Sequence, residues 1–197
     1  MKTIDHLVEE IEDAISYYQY DQIELQIESN GGSVDAFKYF LSHLEKWRKE
    51  KHIQLSTTVL SSSASAGALM FSMGDIGSRK LMPDAQILFH NSRAMVKSVV
   101  TANNAERLNQ ALRSTDNEMF KRFFQHNRLK LKQLYAENGG HVSLSKQTEK
   151  VIGKVKAANT EEEFIKRLFK KYKKLFTHEH YLSASDAVAL GLADTIV

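Results

Sequence analysis

Residues 23–33 read Ile23-Glu24-Leu25-Gln26-Ile27-Glu28-Ser29-Asn30-Gly31-Gly32-Ser33. Apolar and polar residues alternate through Glu28, the period-two pattern of a strand that buries one face. Ser29 to Ser33 then interrupts it with the residues that turns use. Upstream the period is different. Ile4, Leu7, Val8, Ile11, Ala14, Ile15 and Tyr18 fall at three- and four-residue spacing behind Thr3, which predicts an amphipathic helix capped by Thr3. Downstream, Val34, Phe37, Phe40, Leu41, Leu44 and Trp47 form a helical stripe, and Ile53, Leu55, Thr57 and Val59 return to alternation. Strand, helix, strand in this order predicts a parallel pair joined by a right-handed crossover.

Farther along, the small residues Ser61 to Ala68 lead into Leu69-Met70-Phe71-Ser72-Met73 and stop at Gly74, the signature of a short buried helix. Two short strands, near Arg79–Met82 and Gln86–His90, flank the only proline, Pro83. Thr101 opens a long helix in which Ala105, Leu108, Leu112, Met119 and Phe123 keep helical spacing, with further helical pieces beyond it and a break at Gly139-Gly140. Thr160 with Glu163 forms a capping box, and Ser183 with Asp186 a weaker one. Gly191 ends the last helix, and Leu192 to Val197 reads as a closing strand.

The 197 residues, 42% hydrophobic and 26% charged, fit a single globular domain with a substantial core. No run approaches the roughly 20 apolar residues that span a bilayer. The start, acidic and amphipathic, is unlike an export signal, so a cytoplasmic location and no membrane partner are expected. With no cysteine, disulfides and thiolate chemistry are excluded, and any nucleophile must be an oxygen or an amine. The net charge is +3, with lysine concentrated between Arg128 and Lys174. No base-stacking aromatics alternate with those lysines; they read as a solvated helical face, and no nucleic-acid partner is expected.

Three segments carry candidate chemistry. Gly31-Gly32 permits close approach of backbone N–H groups, which a donor site for a developing oxyanion requires. Ser65 stands at a predicted helix start among small residues, where N–H groups and the positive end of the dipole would stabilise an oxyanion formed by its attack. Ser61, Ser62 and Ser63 are rival hydroxyls that lack this position. His90 ends the apolar run Ile87-Leu88-Phe89, where a neutral imidazole can accept a proton. Each segment also has a bland reading, as tight turn, close helix packing or structural histidine. In His178-Glu179-His180 adjacent side chains project in different directions and no third cluster is visible, so neither a metal nor another cofactor is expected.

In order and wording these pieces resemble the Clp protease proteolytic-subunit family. Ile27 to Ser33 is similar to its strand and Asn-Ser-Pro-Gly-Gly-Ser turn, and Ala64-Ser65-Ala66-Gly67-Ala68 to its nucleophile segment. Leu81 to His90 is similar to its histidine segment, and Tyr181-Leu182-Ser183-Ala184 through Gly191-Leu192-Ala193-Asp194 to its closing pattern. The resemblance implies an α/β fold, the ClpP/crotonase-like stack of βαβ units, as one domain over residues 1–197 with a divergent helical insertion at about 128–176 before the C-terminal βα tail. It implies a serine endopeptidase acting on peptides or unfolded proteins through an acyl-enzyme, with Ser65 as nucleophile and His90 as base. Counting back from Leu182 places Glu179 where the family has its aspartate, giving Ser-His-Glu. The oxyanion donors would be the amides of Gly32 and Ala66. A homo-oligomer is also implied.

The sequence departs from the family at several points. Asn30 replaces the turn proline, Asn91-Ser92-Arg93-Ala94-Met95-Val96 stands in place of a glycine-rich strand, the N-terminal axial loop finds no match, and about 40 lysine-rich helical residues precede the acid. Neither an ATPase unfoldase partner nor a double seven-membered ring is therefore assumed. Asn30 and Glu179 motivate one alternative, an inactive regulatory or structural subunit of the same fold. A crotonase-like acyl-CoA enzyme and a Ser-Lys peptidase are the others.

Overall fold

The computed structural model describes residues 3–94, 96 and 101–197. The chain runs α1 (Ile4–Ser16), β1 (Gln22–Ser29), α2 (Val34–Lys51), β2 (Gln54–Ala64), α3 (Ala66–Ser72), β3 (Arg79–Leu81) and β4 (Gln86–Leu88). It continues through α4 (Ala102–Asn138), α5 (Lys146–Ile152), α6 (Glu161–His178), β5 (Tyr181–Ser183), α7 (Ala184–Ala189) and β6 (Thr195–Ile196). Two compact units result: one contains everything up to Leu88 together with Tyr181–Val197, the other Phe89–His180. No helix among the described residues is long and apolar enough to cross a membrane.

In the first unit the expected periods become a mixed sheet with helices. Thr3 caps α1, its hydroxyl accepting the His6 N–H at 3.5 Å, and the helix buries Val8, Ile11 and Ile15. β1 buries Leu25 and Ile27 on alternate positions, and Ser33 caps α2 by accepting the Asp35 N–H at 3.1 Å. β1 and β2 pair in parallel, as the strand–helix–strand order predicts. Their register shifts between Ile27↔Val59 and Ser29↔Ser63, an irregularity that bends a strand. On its other edge β2 pairs with β3 through Thr57–Val59 and with β4 through Ser62–Ala64. The long strand thus feeds two short parallel neighbours in succession.

Some elements differ from the sequence expectation. β2 continues through Ser61–Ser63, because Ser62 and Ser63 find partners on β1 and β4 that no local pattern announces. β5, antiparallel to β4, was not legible, since three residues carry too little periodicity. The closing strand shrinks to Thr195–Ile196, paired with β3. A buried ion pair fastens this tail: Arg79 and Asp194 meet at 2.8 Å with side chains 0% and 2% exposed, and Asp194 also accepts the Gly77 and Arg79 backbone N–H groups at 2.9 and 3.1 Å.

The second unit is helical. α4 buries Met119, Phe120, Phe123, Asn127, Leu131 and Leu134, which from Phe120 onward recur at three- and four-residue steps and define one seam. α6 supplies Phe164, Ile165, Leu168, Tyr172, Leu175 and Phe176. The ring pairs Phe120–Phe176, Phe123–Tyr172 and Tyr135–Phe164 lie at 5.3, 5.6 and 5.6 Å. Partners ascend in α4 while they descend in α6, so the helices are antiparallel. The first turns of α4 differ: Ala105 is exposed and Leu108 and Leu112 only half-buried, although their spacing matches the buried part. Lys171 donates to the carbonyls of Ile152 and Gly153 at 2.7 and 2.9 Å, satisfying the end of α5. Burial first, and the Lys174 charge second, push its ammonium below the usual lysine range.

Candidate active site

At the end of β1 the Ser29 hydroxyl accepts the Gly31 N–H at 3.1 Å and folds the chain back on itself. Gly31 then takes φ +98°, and a Cβ at that position would lie 2.5 Å from Ser65 Cβ and 2.9 Å from the Ala64 carbonyl oxygen. Both backbone conformation and space demand glycine here. Two segments separated by more than thirty residues are thereby brought into contact: the turn rests on Ser65.

Ser65 is the one residue between β2 and α3. Its φ of 58° and ψ of −127° lie in a region that a non-glycine residue occupies at a cost of about 1–3 kcal/mol. The same sharp strand-to-helix turn presents the nucleophilic serine in unrelated hydrolases. Its N–H donates to the Leu88 carbonyl at 2.8 Å and its carbonyl accepts the Leu69 N–H at 3.1 Å, so sheet and helix both hold the strained residue. The rivals are placed otherwise: Ser61–Ser63 belong to β2, and Ser63 is wholly buried.

Gly67 closes the arrangement from the other side. A Cβ there would meet Ser29 Cβ at 2.8 Å and Ser63 Oγ at 2.9 Å, so the first turn of α3 is pressed onto the end of β1. Gly32 and Ala66 line one cleft of about 460 Å³, with Leu25, Ile27 and Met70 among its apolar walls. Among the described residues neither the Gly32 nor the Ala66 N–H enters a cap, turn or loop hydrogen bond. Ala66, as the first helical residue, is one of the donors a helix leaves without an internal partner.

His90 follows β4 by two residues and belongs to the helical unit. Phe89 before it packs on Phe123 and Phe176, with ring centroids at 5.1 and 5.3 Å. After it, the Asn91 N–H donates to the Phe176 carbonyl at 2.8 Å and the Ser92 N–H to Asp116 Oδ1 at 2.7 Å. The chain is therefore fixed on both sides of the half-buried His90. The His90 Nδ1 lies 2.6 Å from the Asn91 carbonyl oxygen. A carbonyl only accepts, so this contact puts the proton on Nδ1 and leaves the lone pair on Nε2.

Glu179 is the C-cap of α6, with φ 48° and ψ 51°. Its exposed carboxylate forms an ion pair with Arg93. The Arg93 hydrogen bond holds the carboxyl below the usual range, against a smaller opposing effect of desolvation, and the charges of Arg93 and His90 act in the same direction. Its neighbours turn elsewhere: His178 Nδ1 meets the Lys174 carbonyl at 2.8 Å, and His180 Nε2 meets Thr148 Oγ1 at 2.9 Å.

Residue spacing by itself does not specify Arg93 beside Glu179, the Asn91 carbonyl beside His90, or the positive-φ backbone at Ser65. The first is a contact between segments far apart in the chain. The second is a main-chain group available to any residue type. Only the third had a local clue, the switch from strand to helix across one position. Of the segment that stands in place of a glycine-rich strand, Met95 lies outside the described residues, and the other five are in neither helix nor strand.

Comparison with curated proteins returns no match. The Clp protease family model matches residues 4–145, well over half of the chain and including the Gly31-Gly32 turn, Ser65 and His90. The chain belongs to the Clp protease family, a family of peptidases.

Proposed function

We propose that this protein is a serine endopeptidase that cleaves peptides and unfolded protein chains, with Ser65 as nucleophile and His90 as general base. The observation that carries the reading is the elbow at Ser65, pressed against the Gly31-Gly32 turn and beside two amides that, among the described residues, enter no cap, turn or loop hydrogen bond. Family membership in the Clp proteases agrees with it. The protein acts as a homo-oligomer, as members of the family typically do.

The Ser65 oxygen attacks the scissile carbonyl carbon while its proton passes to His90 Nε2. The carbonyl oxygen becomes an oxyanion that accepts hydrogen bonds from the Gly32 and Ala66 N–H groups. His90 then returns the proton to the leaving nitrogen, the C–N bond breaks, and an acyl-enzyme ester on Ser65 remains. Water, deprotonated by His90, attacks the ester and restores the Ser65 hydroxyl. Glu179 stabilises the imidazolium as its acid partner, and Arg93 keeps that acid ionised.

Labelling with a fluorophosphonate probe tests the nucleophile. Wild type is expected to react at Ser65, and Ser65→Ala not at all. An unreactive wild type, or equal labelling of the variant, overturns the assignment. A second reading gives the orienting role to the Asn91 carbonyl alone, making Ser65 and His90 a dyad; the 2.6 Å contact at Nδ1 favours it. Glu179→Ala decides between them: a fall in kcat of about 10²-fold or more supports the triad, and less than about 3-fold supports the dyad.

A further inference from the structure

A second recess lies wholly within the helical unit, between α4 and α6, with a volume of about 280 Å³. Its floor is apolar, formed by the buried rings of Phe120 and Phe176. Two cations stand on its wall, Arg113 from α4 and Lys173 from α6. Among the described residues neither has a carboxylate partner. Lys173 Nζ is held 5.8 Å from the Phe120 ring centroid and 4.9 Å from that of Phe169, contacts that stabilise a cation and limit where it points. Asp116, the one carboxylate among the described residues of the wall, is engaged by the Ser92 N–H. Asn117 adds an uncharged donor.

We infer that this recess binds the free carboxylate end of a short peptide with an apolar terminal residue. The described residues of the wall carry two positive charges and one negative, which matches a monoanion and not a more highly charged ligand. A guanidinium can meet a carboxylate through two parallel hydrogen bonds, while the aromatic floor takes an apolar body. The volume lies just below the roughly 300–1,000 Å³ of ordinary ligand pockets, which suits one terminal residue. Residues 89–180 carry nineteen Lys and Arg against nine Asp and Glu, a field that concentrates anions around the recess. The recess also reaches the His90 segment: Asn91, next to His90, lines it and donates its N–H to the Phe176 carbonyl at 2.8 Å. That the carboxylate is borne by a peptide rests on the peptidase reading; the recess itself does not.

Calorimetry on the full chain carrying Ser65→Ala separates this inference from the nucleophile assignment, because no turnover is needed. The ligands are acetyl-Ala-Phe as free acid, its C-terminal amide, and inorganic phosphate. Saturable binding of the acid is expected, at least tenfold weaker for the amide, with at least a tenfold loss for Arg113→Gln and a several-fold loss for Lys173→Gln. Lys150→Gln, an exposed lysine outside the recess, serves as the control and is expected to bind as the parent does. Equal affinity for acid and amide, absence of acid binding, binding of phosphate in place of the acid, or unchanged affinity in both recess variants each overturns it.

Discussion

At the scale of single residues, the site depends on atoms that are missing as much as on those present. Gly31 gives Ser65 its place because no side chain separates them, and Gly31→Ala would force a Cβ into the 2.5 Å gap at a φ of +98°. A fall of about 10²–10³-fold in kcat is expected, comparable to losing one oxyanion donor, with far-ultraviolet circular dichroism close to wild type. Retained kcat would mean that the turn does not position Ser65. Arg93 offers a second test. By holding the Glu179 carboxyl low, it keeps that acid ionised to lower pH. In Arg93→Ala the carboxyl returns toward its usual value, so an acid limb of kcat/KM that reports Glu179 is expected to move to higher pH. A limb that does not move assigns it to another group.

At the scale of elements, caps and seams explain which helical segments are firm. Thr160 accepts the Glu163 N–H at 3.2 Å at the start of α6, and Glu163 in turn accepts the Asn159 N–H at 3.1 Å. Thr160→Ala is expected to cost about 0.5–2 kcal/mol, read from the denaturant midpoint of the helical unit. α4 is divided between two regimes. Residues near its start are exposed, whereas Met119 to Leu134 form the aromatic seam with α6. Hydrogen exchange is therefore expected to be markedly faster for amides of 105–112 than for those of 120–134. Uniform protection along α4 would show that something covers its first turns.

At the scale of the whole molecule, the chain leaves the sheet after β4, builds the helical unit, and returns at β5. The returning tail is fixed by Arg79 and Asp194. Burial by itself would raise the Asp194 carboxyl; the Arg79 hydrogen bond and charge, with the backbone N–H groups of Arg79 and Gly77, outweigh it and hold the carboxyl below its ordinary value. A depressed carboxyl contributes stability above its unfolded-state pKa of about 4, and that contribution is lost as pH falls through the lower folded value. Acid should therefore weaken wild type more than Asp194→Asn, measured by urea denaturation between about pH 6 and pH 3. At neutral pH, Asp194→Ala is expected to cost about 3–5 kcal/mol, because it leaves the Arg79 charge buried without its partner.

Local spacing alone settled α1, β1, α2 and the parallel β1–β2 pair, since a period of 2 or 3.6 is written in which residues are apolar. It also marked the Gly31-Gly32 turn, Ser65 and His90 as candidate chemistry. It could not give β5, the continuation of β2 through the serine run, or the exposure of the first turns of α4, because those outcomes depend on partners distant in the chain. Nor could it give the positive-φ backbone at Ser65, the Asn91 carbonyl at His90, or the Arg93 partner of Glu179. Side-chain pattern fixes which face of a segment seeks a core; only the folded chain decides which backbone and charged groups then meet.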